Sequence, residues 1–217
     1  VRAGAGVFVG EDRMLTRARD LCDRSGALLV LDEIQTGMGR TGSLWAYQQT
    51  PVRPDVITTA KALGGGVAIG ACITSPDTAG VLEPGDHGST FAAGPVAASA
   101  AMAVLGIVDT PETLRRVREL GDRLTRRLQQ LDGVAEVRGR GLMIGVGLQE
   151  GHDAAAINTA LLGKGLIVNA PRPDTLRLLP PFIISDEQLE SAVGKIAEAL
   201  REAGDTNLKE TTAGGTK

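Results

Sequence analysis

A helical pattern that runs directly into a short apolar segment is the feature that most constrains the fold of this 217-residue chain. Apolar residues recur at helical spacing over residues 13–25, and Gly26 follows as a typical helix stop. The next five residues, 27–31, are all apolar, which is typical of a strand buried in a parallel sheet. This order of elements predicts an α/β fold.

The same alternation continues along the first half of the chain. Two further strands are predicted at residues 56–59 and, after the triple glycine 64–66, at residues 67–74. An alanine-rich segment over residues 96–108 predicts a buried helix. We assign residues 1–108 to a first domain with a mostly parallel sheet.

A long helix and a small α+β domain are predicted for the second half. Pro111 suits the first turn of a helix, and one apolar stripe then runs to the stop at Gly133. We expect this helix to bridge two domains. We assign residues 109–203 to the helix and the small domain, and 204–217 to a flexible tail. Within the small domain, strands are predicted at residues 134–138, 142–148, 166–169 and 176–179, and helices at 153–164 and from 186 onward.

Charge and composition exclude several classes of function. The 23 Lys and Arg residues nearly balance the 26 Asp and Glu residues, so no basic field is available to bind nucleic acid. No apolar run approaches the roughly 18 residues of a membrane-spanning helix, and the chain begins without a signal segment, so we expect a cytoplasmic protein. Cys22 and Cys72 lack metal-ligand spacing, and we expect free thiols and no metal site.

Asp32 directly follows the first apolar run, at the end of a strand where open α/β sheets bind ligands. A carboxylate there is unfavourable unless it meets a cation or several donors, which predicts a ligand-binding role. A solvent-facing strand end is the alternative. Asp32 and Glu33 also resemble the metal-binding strand end of nucleotide hydrolases, but the phosphate loop G-x-x-x-x-G-K-[ST] does not occur in the sequence.

Lys61 is the only lysine among the first 163 residues. It follows a predicted strand and precedes glycines that allow a ligand to approach the backbone. A deprotonated amine can form a Schiff base, which a guanidinium cannot usefully do. Lys61 is therefore a candidate covalent ligand, and the alternative is a surface lysine whose stem covers apolar neighbours.

Arg177 lies between apolar residues of a predicted strand. Its guanidinium can bind a carboxylate through two parallel hydrogen bonds. Arg177 is therefore a candidate substrate ligand, and an edge-strand arginine that faces water is the alternative. Arg40 is expected to pack the loop after Asp32.

Three longer motifs combine these residues. They are Leu31-Asp32-Glu33-Ile34-Gln35-Thr36-Gly37-Met38-Gly39-Arg40-Thr41-Gly42; Pro54-Asp55 with Ala60-Lys61-Ala62-Leu63-Gly64-Gly65-Gly66; and His87-Gly88-Ser89-Thr90-Phe91. Together they resemble the class III aminotransferases that use pyridoxal 5'-phosphate, in particular the acetylornithine and ornithine branch. The resemblance implies the large-domain portion of a type I pyridoxal-phosphate transferase fold plus a small carboxyl-terminal α+β domain. It also implies that the chain is the carboxyl-terminal portion of a longer enzyme.

The resemblance implies roles for the candidate residues. Lys61 would hold the cofactor through an internal aldimine and shuttle a proton, and Asp32 would keep the pyridinium nitrogen protonated. Gln35 would neighbour the phenolic oxygen of the cofactor. Ser89 and Thr90 would reach the cofactor phosphate of the neighbouring subunit, which implies a homodimer with a shared active site; a simple loop cap is the alternative.

The implied reaction transfers the δ-amino group of N-acetylornithine to 2-oxoglutarate, a step of arginine biosynthesis. Arg177 would bind the α-carboxylate of the amino acid. One alternative is another class III aminotransferase that acts on ornithine, succinylornithine or 4-aminobutyrate, and another is a catalytically silent fragment that acts as an assembly partner. Gly4 stands where the ornithine-handling branch has a glutamate that gates Arg177.

Overall fold

The structure, a computed structural model, describes residues 1, 6–86, 88–90, 92 and 94–213, with the side chains of residues 12 and 205–213 left out. These residues divide into two units. The N-terminal unit is Gly10–Val117, and the C-terminal unit combines Val1–Val9 with Arg118–Lys217. Val1–Val9 thus groups with the C-terminal unit, whereas the predicted first domain contains it. The predicted domain bounds otherwise stay a prediction.

A three-stranded sheet organises the N-terminal unit. It follows α1 (Asp12–Ser25) and contains β1 (Val30–Asp32), β2 (Val56–Thr59) and β3 (Ala71–Thr74). The strand order is β1-β2-β3, with β1 parallel and β3 antiparallel to the central β2. Mixed helices and strands confirm the α/β prediction.

The segment around β1 is less buried than its sequence predicts. Gly26 ends α1 in the left-handed conformation, at φ 69°, as predicted. Only Val30 and Leu31 of the following apolar run lie in a strand, and Val30 is 54% exposed. The prediction of a buried strand is therefore wrong for the residues described, because within them β1 pairs with β2 and with no second strand.

Helix α2 (Pro95–Val108) matches the predicted alanine-rich helix in its bounds but not in its burial. Val96 and Met102 are 76% and 70% exposed, whereas Ala101 is buried against Leu63. The prediction of a buried helix is wrong for the described residues, since an all-apolar composition shows that a helix is suited to burial but does not supply the neighbours that bury it.

An antiparallel sheet of order β4-β5-β7-β6 forms the C-terminal unit with its helices. All six residues of β5 are buried, as are the apolar stripes of the helices. The elements are α3 (Pro111–Gln129), which begins in the N-terminal unit, then β4 (Val134–Arg140), β5 (Met143–Leu148), α4 (Ala154–Gly163), β6 (Asn169–Arg172), β7 (Thr175–Leu178) and α5 (Asp186–Ala213).

Helix α5 begins at a capping box and extends further than predicted. The Ser185 N–H donates to Gln188 Oε1 at 2.9 Å, and the Gln188 N–H donates to Ser185 Oγ at 3.2 Å. The helix continues to Ala213, through part of the predicted flexible tail. Gly204, where the predicted tail begins, therefore lies inside the helix and does not end it.

Neither a membrane helix nor a disulfide is found among the described residues. None of their helices combines the length and apolar character needed to cross a bilayer. Cys22 and Cys72 are both free.

Candidate active site

Asp32 and Lys61 come together at one edge of the N-terminal sheet. β1 and β2 are parallel neighbours, with Asp32 opposite Thr58, so the carboxyl ends of both strands lie at the same edge. Asp32 is the last residue of β1, and Lys61 follows the end of β2 after a single residue, Ala60. Both side chains are exposed and hence accessible to a ligand.

Local backbone contacts orient the Asp32 carboxylate. Its Oδ1 accepts a hydrogen bond from the Ile34 N–H at 2.9 Å. The Glu33 N–H donates to the Thr58 carbonyl at 2.9 Å and extends the contact between β1 and β2 by one residue. The Asp32 side chain is exposed, as is Val30 at the start of the same strand.

Lys61 has an unusual backbone conformation for a residue other than glycine. It begins a 3₁₀ helix, Lys61–Gly64, at a φ of 47°. The left-handed conformation costs a non-glycine residue on the order of 1 kcal/mol, and such strain clusters at functional sites. The conformation is maintained because the Leu63 N–H donates to the Ala60 carbonyl at 3.0 Å and the Leu63 side chain is buried beside Met38.

The glycines after Lys61 serve packing more than ligand access. A Cβ on Gly64 would lie 2.8 Å from Ile69 Cγ2, and one on Gly65 would lie 2.9 Å from Val104 Cγ2. Only a Cβ on Gly66 would meet nothing within 4 Å among the described atoms. Open space next to the backbone is therefore confined to the last of the three glycines.

Glu33 is a buried carboxylate that sequence reasoning did not assign. It is 3% exposed; its Oε2 accepts from Thr36 Oγ1 and its Oε1 from the Tyr47 N–H at 2.9 Å. The Glu33 carbonyl also accepts from the Gly37 N–H at 3.0 Å. These bonds give each side-chain oxygen of Glu33 a donor and fix the loop that carries the half-buried Gln35. A hydroxyl three residues after the glutamate is the local signal that could have revealed the role.

Close packing also holds the loop that follows Asp32. A Cβ on Gly37 would lie 2.7 Å from the Trp45 ring atom Cε3. Burial lowers the pKa of Arg40 to about 10, so the guanidinium remains protonated at neutral pH. Partial burial of Arg40 is consistent with the packing role expected from its sequence position.

Asp55 is a second residue whose role was missed. Its Oδ2 accepts hydrogen bonds from the Leu29 N–H and from Arg19 Nη1, both at 2.7 Å. The Leu29 amide, with the Arg19 guanidinium second, holds the pKa of the Asp55 carboxyl below its usual value. The Asp55 carbonyl accepts from the Ser75 N–H at 2.8 Å. One residue thus ties α1 to residues next to all three strands, at the amino ends of β1 and β2. This is the sheet edge opposite to the one that carries Asp32 and Lys61.

Ser89 and Thr90 are exposed residues of the segment that leads into α2. The Ala92 N–H donates to the Ser89 carbonyl at 3.1 Å, which closes a turn. His87 and Phe91, at the ends of this motif, lie outside the described residues. The phosphate-binding role of the two hydroxyls stays a prediction.

Arg177 lies on β7 and belongs to the C-terminal unit, whereas the other candidate residues belong to the N-terminal unit. It is half-buried and pairs in register with Gly145 on β5 and Asn169 on β6. Gly4, where the family resemblance places a gating glutamate, lies outside the described residues.

Comparison with protein families and curated proteins gives consistent matches. The family model described as "Aminotransferase class-III" matches residues 1–200. Acetylornithine aminotransferase of Corynebacterium efficiens is 44% identical over 202 residues, which are 93% of this chain and 50% of the relative. Acetylornithine aminotransferase of Mycobacterium bovis is 46% identical over 201 residues, with 92% and 50% covered. The chain thus spans about half the length of these curated relatives.

Solved structures give the same result. N-acetylornithine aminotransferase from Stenotrophomonas maltophilia superposes with a TM-score of 0.83 at 36% identity, covering 93% of this chain and 54% of that structure. Ornithine aminotransferase from Toxoplasma gondii superposes with a TM-score of 0.87 at 31% identity, covering 95% and 51%.

Proposed function

Because the chain belongs to the class III aminotransferase family, we propose that it supplies the catalytic lysine of an acetylornithine aminotransferase. The reaction moves the δ-amino group of N-acetylornithine to 2-oxoglutarate, with pyridoxal 5'-phosphate as cofactor, in arginine biosynthesis. The observation that carries the proposal is the placement of Lys61 and Asp32 at one edge of the N-terminal sheet.

The chemistry of these two groups fits the cofactor. The exposed Lys61 amine can react with an aldehyde. The exposed Asp32 carboxylate is oriented through Oδ1 by the Ile34 N–H, and its Oδ2 is suited to pair with a protonated ring nitrogen. Gln35, held by the loop around Glu33, is the proposed neighbour of the phenolic oxygen.

Bound pyridoxal phosphate supplies an electron sink for the carbanion that forms at the amino-bearing carbon. Lys61 Nζ would hold the cofactor through its aldehyde group. The Lys61 amine would also move a proton at the amino-bearing carbon of the substrate, as a general base and then as a general acid. Asp32 would keep the ring nitrogen protonated, and Arg177 would bind the α-carboxylate of the amino acid.

We further propose that Ser89 and Thr90 bind the cofactor phosphate of a neighbouring subunit. Hydroxyls and main-chain amides in an exposed turn suit phosphate oxygens. The active form is then a homodimer with a shared active site, and we expect it in the cytoplasm.

The absorption spectrum tests the assignment of Lys61. The purified chain with pyridoxal phosphate should show a band near the visible edge, and borohydride reduction should attach the cofactor permanently to Lys61. Lys61→Ala should abolish both the band and the attachment. Lys164→Ala is the matched control, because Lys164 forms ion pairs with Glu198 and Glu202 at 3.0 Å and should leave both signals unchanged.

Two other outcomes have defined meanings. Attachment that persists in Lys61→Ala would overturn the proposed function. Absence of any band in the wild-type chain would overturn the proposed function and favour the catalytically silent fragment.

Ornithine is the second candidate amino donor. The similarity to the ornithine aminotransferase of Toxoplasma gondii favours this alternative. Rates measured with N-acetylornithine and ornithine, each at the same concentration of 2-oxoglutarate, distinguish the two. A higher rate with ornithine would overturn the assignment to the acetylornithine branch.

A further inference from the structure

One face of the sheet in the C-terminal unit is polar. Gly145 and Gly147 lie at its centre, and we call these two residues the glycine floor. Residues directly opposite each other in an antiparallel sheet project to the same face. The central strand β5 contributes two glycines to this face, which leaves room for another segment to approach its backbone. One row contains Arg138, Gly145, Arg177 and Asn169, and the adjacent row contains Glu136, Gly147, Thr175 and Arg172.

Residues 6–8, which we call the strap, lie on this glycine floor. A Cβ on Gly145 would lie 2.5 Å from the Gly6 carbonyl oxygen and 3.1 Å from Val7 Cβ. Arg177 is the register partner of Gly145, and directly opposite Cβ positions are about 5 Å apart. The strap therefore borders the position from which the Arg177 side chain leaves the sheet.

Arg138 holds the strap through several contacts at once. Its Nε donates to the Gly6 carbonyl at 3.0 Å, and its guanidinium carbon lies 4.5 Å from the centre of the Phe8 ring. Its Nη2 donates to Thr175 Oγ1 at 3.1 Å, and its Nη1 forms an ion pair with Glu136. A planar guanidinium can make all these contacts together, whereas an ammonium cannot.

The strap is held in a strained conformation. Val7 has a φ of 60°, which is a genuine outlier for a β-branched residue. Its side chain is fully buried against Met143. Such a conformation persists only where the surroundings enforce it, and Arg138 is the polar part of those surroundings.

We propose that Arg138 is a positioning residue for Arg177. By fixing the strap on Gly145, it forms a rigid wall beside the Arg177 guanidinium and limits the directions in which that side chain receives a carboxylate. The proposal rests on the proposed function, in which Arg177 binds the carboxylate of a small amino acid or oxo acid.

Amide hydrogen exchange and NMR test whether Arg138 holds the strap. In Arg138→Gln, amides of residues 6–9 should exchange about tenfold faster or more, since a locally opened segment loses protection. The Nε–H resonance of Arg177 should shift in the same variant without any ligand. Arg126→Gln is the control, because it removes an exposed guanidinium of α3 and leaves the contacts of Arg138 in place; it should change neither signal.

Binding of glutarate, a dicarboxylate without an amine, tests the consequence for Arg177. Arg138→Gln should weaken glutarate binding by about tenfold. Arg177→Gln should abolish binding while the strap keeps its wild-type protection. Unchanged binding in Arg177→Gln, or no binding by the wild-type chain, would overturn the role of Arg177 in the proposed function without affecting the exchange result.

Gly145→Ala provides a second variant that leaves every charge in place. Its Cβ would displace the Gly6 carbonyl and should reproduce both the faster exchange and the Arg177 shift. Unchanged exchange in both Arg138→Gln and Gly145→Ala would show that Arg138 does not hold the strap and would overturn the proposal. Faster exchange with an unchanged Arg177 resonance and unchanged glutarate affinity would show a structural role only and would overturn the positioning of Arg177.

Discussion

The two sheets differ in the fraction of their residues that is buried. β5 is buried at every residue, whereas β3 is exposed at every residue and β1 at two of three. The C-terminal unit makes a core from its own residues. The N-terminal unit, which carries Lys61 and Asp32, holds its strand ends with directional polar contacts centred on Asp55 and Glu33. Hydrophobic packing thus dominates one unit, and hydrogen bonding fixes the candidate chemistry in the other.

The largest effect should come from truncating a core leucine. Leu161 on α4 is fully buried, and Leu161→Ala should lower the free energy of unfolding by about 3–5 kcal/mol through lost contacts and a cavity. Leu21→Ala on α1 is the matched control, because Leu21 is 51% exposed and should cost less than about 0.5 kcal/mol. Urea unfolding followed by circular dichroism measures both, and equal costs would show that the face of α1 is covered in solution.

Removing the Asp55 carboxylate should lower the free energy of unfolding by a smaller amount. Asp55→Ala leaves the Leu29 N–H without its carboxylate acceptor and should cost about 2 kcal/mol at neutral pH. Asp20→Ala, an exposed change on α1, should be nearly neutral. If Asp55→Ala destabilises the chain no more than Asp20→Ala does, the Asp55 carboxylate does not stabilise the sheet.

The pH dependence of the Asp55 contribution has a definite sign. Hydrogen bonds to the carboxylate hold its pKa in the folded chain below the usual value of 3.8. Its stabilisation is therefore complete above that value and is lost as the pH falls through the lower folded pKa. The difference in unfolding free energy between wild type and Asp55→Ala should shrink in acid; a difference that grows there would contradict the assignment.

The smallest expected effect concerns strain at Lys61. Lys61→Gly should raise the free energy of unfolding by about 0.5–1 kcal/mol, because glycine adopts a φ of 47° without a Cβ clash. Lys61→Ala removes the same amine but keeps the Cβ and should leave stability nearly unchanged. Equal urea midpoints for the two variants would mean that the backbone at this position is relaxed.

Local signals in the sequence predicted local structure well. Gly26 and Pro111 predict helix ends, and the structure confirms both. The sequence singles out Asp32 because a carboxylate directly follows an apolar run, and Lys61 because it is the only lysine among the first 163 residues. The parallel pairing of β1 and β2 then brings them to one edge.

The remaining features depend on contacts between distant positions. The Asp55 carboxylate meets the amide of Leu29, 26 residues earlier, and Arg138 meets Gly6 across 132 positions. Burial of β1 and α2 was overestimated because an apolar sequence shows what can be buried and not what covers it. Backbone strain at Lys61 has no sequence signature, since lysine rarely adopts that conformation.

The packing of Trp45 on Gly37 has a practical consequence. Trp45 is the only tryptophan of the chain, and it sits in the loop that Glu33 anchors next to Asp32. Intrinsic fluorescence of the folded chain therefore reports on the surroundings of this loop, and occupancy of the sheet edge can be followed optically without attaching a dye.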